Sequence, residues 1–194
     1  MTGKAKRVWL LAVAVPVMGL GAWGATVLFG DLLDASRVAR YELKGIVAPA
    51  AISILLFGAF AVGSVALILS RSGSARGPDS TPSYFDRYFP VVYGSALGLA
   101  VGFFIAGACV SKSDSMLSVI IDESVRDVLS LPGVAIWYLW GAMRILPGGD
   151  AVWAMLPWGI VVGWGALGLL CGLLTIGIAR KRRQRTEPAV AGRK

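Results

Sequence analysis

Residues 90–110 read PVVYGSALGLAVGFFIAGACV, an unbroken stretch without a charged side chain. A bilayer core about 30 Å thick takes roughly 20 apolar residues of helix to cross. The stretch has that length. A membrane-spanning β-strand needs only about 10 residues and alternates in polarity, and this run does neither. Gly94, Gly98 and Gly102 recur at every fourth position, with Ala106 next. On a helix they form one flat stripe where a second backbone approaches closely.

Three further runs share the character of this one. Val8 to Gly30, Ile46 to Leu69 and Ala151 to Ala179 are also free of charge. In the last, Met155 to Ile178 is the part expected within lipid. Composition agrees with these runs. Hydrophobic residues make up 56% of the chain and charged residues 15%, with mean hydropathy +0.71. A soluble domain carries about 25% charge, so too few charged groups remain here to coat a folded surface. Disorder is excluded by the opposite excess of apolar mass. The expected fold is therefore all-α: a polytopic membrane protein forming a single membrane domain over 1–194. Its four transmembrane helices fall at roughly 8–30, 46–69, 90–110 and 155–178. Lys4, Lys6 and Arg7 before the first run resemble the front of a signal peptide. A signal core usually has 7–15 apolar residues, and this run is longer, so a retained helix is expected.

Residues 118–146, between the third and fourth spans, form the largest outer element. Ser118 to Ser130 has helical amphipathicity: Ile121, Val125 and Val128 or Leu129 share one side, and Asp122, Glu123, Arg126 and Asp127 fill the rest. Val128 to Met143 is uncharged but short, and it holds Pro132-Gly133. Trp137, Tyr138 and Trp140 in it suit the headgroup level as interfacial anchors. An extracytoplasmic amphipathic or re-entrant segment fits better than a fifth crossing. Basic residues support this. With four spans, 13 of the 19 lie on the side that carries both termini, which the positive-inside rule makes cytoplasmic. A fifth span would move the strongest basic cluster outside.

That cluster is Arg180, Lys181, Arg182, Arg183 and Arg185, directly after the last span. Anionic headgroups attract such residues by about 1 kcal/mol each, so anchoring to anionic lipid is expected. Nucleic-acid binding is not, because the cluster is short and no binding domain follows. The loop at 31–45 balances three acids with three bases and is expected to be helical at the interface. The connection at 70–87 reads as a flexible linker between two hairpins. No repeat relates the hairpins. Tyr84, Phe85, Tyr88 and Phe89 form an aromatic belt, with a helix start at Pro90.

Small residues dominate the packing expectations. Gly159 with Gly163, and Gly168 with Gly172, repeat the four-residue spacing, and Gly165 adds to them. The second span offers Ala51, Ala59 and Gly63 on one side, and the first has Gly21 and Ala25. Such stripes hold helices of one chain together, and those left over meet other integral membrane subunits or copies of the same chain. Faces carrying Trp and Phe are expected toward lipid. Pro16 is expected to kink the first span.

The chain has no His, which removes imidazole chemistry and His-based metal sites. Cys109 and Cys171 fall about 24 Å apart in depth, too far for a disulfide. Asp114, Asp122, Glu123, Asp127 and Asp150 match no defined cation-site spacing. No cofactor or metal is expected, and no enzyme activity. The leading expectation is a non-catalytic subunit or scaffold that stabilises a larger membrane complex. The alternatives are a small oligomeric channel or transporter for an uncharged substrate, and a membrane enzyme using the outer carboxylates. Abundant Ala, Gly and Arg suggest a GC-rich bacterial genome, and hence a bacterial inner membrane.

Overall fold

The computed structural model describes residues 3–38, 44–70, 84–110, 123–143 and 151–191. They form five helices: α1 (Gly3–Val38), α2 (Lys44–Ser70), α3 (Tyr84–Val110), α4 (Glu123–Ala142) and α5 (Ala151–Ala191). A helix satisfies its backbone polar groups within itself, as lipid requires. Four are long and apolar enough to cross a membrane, over Val8–Asp34, Ala50–Leu69, Tyr88–Val110 and Met155–Lys181. The chain is a polytopic all-α membrane protein.

The order of contacts along each pair gives the helix directions. Gly21 meets Ala100 while Gly24 meets Phe103 and Gly107, so α1 and α3 run parallel. Gly94 meets Gly168 while Gly102 meets Val161, so α5 runs antiparallel to α3. Gly63 lies near Val92, whereas the Phe57 ring lies tilted against Phe103, so α2 is antiparallel to α3. Helix α3 is the centre of the bundle, touching all four other helices. Half of its span window is buried, against 17% for α2.

The core is aromatic where the helices diverge from the glycine contacts. Phe103 is fully buried, with its ring centroid 5.4 Å from Phe57 and 6.2 Å from Trp158. Ala25, Leu28, Ala106 and Val161 close around them. These bulky residues therefore do not face lipid as expected. Glycine stripes bring the α3 and α5 backbones together, and large rings fill the wedges beside the line of contact.

Other expectations also shift. α3 begins at Tyr84, so Pro90 lies inside it rather than at its start. Phe89 is buried and stacks on Tyr93 at 5.4 Å, and that packing rewards helix upstream of a proline that removes one backbone hydrogen bond. In α2 the buried side carries Ala50, Phe57, Ser64 and Ile68, while Ala59 is exposed. Of the expected face of Ala51, Ala59 and Gly63, Gly63 lies near Val92 and Ala51 is half-buried, but Ala59 is turned away from the packing side. Within 31–45, α1 continues to Val38 and α2 begins at Lys44. The linker expected at 70–87 lies mostly outside the described residues. α1 is continuous through Pro16.

Helix α4 joins what the sequence divides. From Glu123 on, the amphipathic stretch and the tryptophan-rich stretch form one helix that runs through Pro132 and Gly133, while residues 118–122 lie outside the described residues. Gly133 lies against Ile160, and Pro132 against Gly163. A bulkier residue than Gly133 would separate the helices there.

Candidate interaction surfaces

The predicted packing glycines all lie at helix–helix contacts within the chain. A methyl on Gly94 would sit 2.5 Å from the Gly168 carbonyl oxygen. One on Gly102 would come 2.9 Å from the Val161 Cα, and one on Gly172 would come 2.6 Å from the Pro90 oxygen. Gly98 and Gly168 face each other closely, with the Trp164 carbonyl against Gly98. Gly159 and Gly163 serve a different partner. They lie 3.0 Å from the Gly133 oxygen and 2.5 Å from the Pro132 oxygen, measured from the position a Cβ would take. The fourth span thus presents one glycine set to α3 and another to α4. Gly165 meets the Leu99 side chain.

Polar groups reinforce these lines. The Trp164 indole N–H donates to the Leu129 carbonyl at 2.8 Å. The Tyr93 hydroxyl donates to the Leu10 carbonyl at 3.1 Å, tying α3 to α1. Ser64 donates to Phe60 within its own helix at 2.7 Å. The Ser95 hydroxyl is buried without a hydrogen-bond partner.

The anchoring residues separate into two groups. Trp140 packs partly buried against the core cluster, and Trp137 is edge-on to Tyr138 at 5.4 Å. Tyr138 is exposed. Arg180 and Lys181 are exposed on α5, which continues as helix through Arg182 and Arg183 to Ala191. Asp127 is exposed, whereas Asp114, Asp122 and Asp150 lie outside the described residues. Among the described residues, no three His, Cys, Asp or Glu side chains gather. Neither Cys109 nor Cys171 forms a disulfide.

Sequence reasoning missed one surface. Along α1, Ala12, Gly19, Ala22, Thr26 and Gly30 are exposed at heptad-like spacing. Nothing lies within 4 Å of a Cβ placed on Gly19 or Gly30. Gly58 on α2 and Gly177 on α5 are equally open. The signal was present as a 3.5-residue period of small residues, but Gly21 and Ala25 of the same helix drew attention to its other side. No protein-family model, curated protein or solved structure matches this chain.

Proposed function

We propose that this chain is a non-catalytic subunit or scaffold within a larger membrane assembly. The observation that carries this reading is the outward seam of α1. The chain uses its other glycine stripes internally but leaves Gly19 and Gly30 uncovered. A glycine costs about 1 kcal/mol of helix propensity relative to alanine, and lipid alone gives no return on it. A partner helix does, because small residues let backbones approach. The partner is another integral membrane subunit or a second copy. In this reading both termini are cytoplasmic, α4 lies on the extracytoplasmic side, and the membrane is a bacterial inner membrane. The excess of basic residues on the terminal side supports that orientation, and Arg180 to Arg183 hold anionic lipid there.

Purification in mild detergent tests the reading. Stoichiometric co-purifying chains are expected, and Gly19→Leu with Gly30→Leu should release them while the monomer still folds. Recovery of the wild-type chain only as a monomer would sink it.

A further inference from the structure

We propose that the open half of α5 seats one anionic phospholipid, with an acyl chain along Leu167, Leu170, Leu174 and Ile178 and the phosphate at Lys181. The proposal rests on the reading that the basic end of α5 meets anionic lipid, and it assigns that contact to one residue and one side of the helix. From Gly159 and Gly163, steps of three or four residues lead on to Leu167, Leu170, Leu174, Ile178 and Lys181, so all of them lie on a single stripe of α5. Gly159 and Gly163 are its covered part. A Cβ on either would meet the backbone of Gly133 or Pro132, and Trp164 beside them donates to the Leu129 carbonyl. Past Gly163 the stripe changes character. Leu170, Leu174 and Ile178 are 52%, 65% and 57% exposed, and Leu167 and Lys181 are exposed too.

The change falls near the middle of the membrane. Lys181 is the last residue of the span. Leu170 lies about 16 Å before it along the helix axis, and one leaflet of a 30 Å core is about 15 Å deep. Gly163 lies about 27 Å before it by the same measure. The α4 contacts at Gly159 and Gly163 therefore fall in the leaflet of Met155, and in the other leaflet this side of α5 is open over the length of one acyl chain. There α5 is held to α3 through Gly168 and Gly172, which meet Gly94 and Pro90. The side chains select the occupant. Both α3 and α4 approach α5 over glycines, as close backbone packing requires, whereas the open stripe is branched aliphatic from Leu167 to Ile178. Such a surface makes its contacts with a pliable hydrocarbon chain. A lysine at the headgroup level adds attraction for a net negative charge, which a zwitterionic headgroup does not carry.

Native mass spectrometry of the full chain tests the site. The protein is stripped of lipid in mild detergent and offered equal amounts of phosphatidylglycerol and phosphatidylcholine with matched chains. The wild type should retain one phosphatidylglycerol in preference. Lys181→Gln should lower that preference about fivefold, while Arg180→Gln, about 100° round the helix, should change it much less. Leu170→Ala with Leu174→Ala should cut retention by about threefold or more through lost chain contacts. Leu169 and Leu173 are exposed on the other flank of the same turns, and Leu169→Ala with Leu173→Ala should leave retention unchanged. All four side chains are exposed, and thermal midpoints close to the wild type confirm that each variant folds. Equal losses from Lys181→Gln and Arg180→Gln would overturn the site while leaving the diffuse basic anchor intact. Equal losses from the two leucine pairs, or none from the Leu170 and Leu174 pair, would overturn it as well, the latter leaving the stripe to ordinary lipid or to a protein partner. A wild type that retains both lipids equally would overturn the site and the anchor together.

Discussion

The indole nitrogen of Trp164 lies 2.8 Å from the carbonyl oxygen of Leu129, and this bond fastens the short helix α4 to the last span. The bond spans two elements that otherwise meet through glycine and proline. It stands beside the closest approach of the two helices, where Gly163 faces Pro132 and Gly133 faces Ile160. Trp164→Phe keeps the ring and removes the donor. Interhelical hydrogen bonds in membranes average about 0.6 kcal/mol, so the thermal midpoint in detergent should fall only slightly. Hydrogen exchange should show the local effect, with faster exchange confined to residues 123–142.

Glycines that face a backbone should behave oppositely to those that face outward. Gly98→Val drives side-chain atoms into the Trp164 carbonyl and the Gly168 backbone. Overpacking of this kind costs about 1–3 kcal/mol or more, so the variant should unfold at a clearly lower temperature. Gly58→Ala meets no atom within 4 Å, and it should raise stability by a few tenths to about 1 kcal/mol through helix propensity. Thermal unfolding of both variants, side by side, measures the contrast.

Ser95 should be replaceable without loss. Its hydroxyl is buried and has no hydrogen-bond partner, so the wild type carries a desolvation cost that Ser95→Ala removes. The alanine variant should match or exceed the wild-type midpoint. A drop of several degrees would show that the hydroxyl has a partner in the membrane.

The basic end of α5 should select lipid by charge. Replacing Arg180, Lys181, Arg182 and Arg183 with Gln removes about 1 kcal/mol of headgroup attraction per residue. Native mass spectrometry should then show fewer retained anionic lipids and unchanged zwitterionic ones. Raised salt should reproduce part of the effect on the wild type.

The four crossing helices were legible because lipid imposes one strong rule, a charge-free run of sufficient length. Gly94, Gly98 and Gly102 were legible as a stripe for a related reason: regular spacing on one helix reports one face. Which partner receives the stripe was not legible. The fourth span's glycines divide between α3 and α4, and only the three-dimensional arrangement separates Gly168 from Gly163. Pro132-Gly133 reads locally as a break. In the fold it is helical and lies against Ile160, 27 residues after Gly133. In α2, Ala59 suggested a packing side by size alone, but burial of Phe57 and Ile68 turned that residue outward. The outward seam on α1 was hidden because both sides of that helix carry small residues.

Because α3 touches every other helix, while α1 and α2 touch each other less than either touches α3, the order of synthesis has a cost. The first hairpin emerges before the element that holds it. Until Tyr84–Val110 is inserted, Gly21, Gly24 and Phe57 lack their contacts with α3. A nascent chain stalled before that point should therefore be a ready substrate for membrane proteases, and one stalled after it should survive.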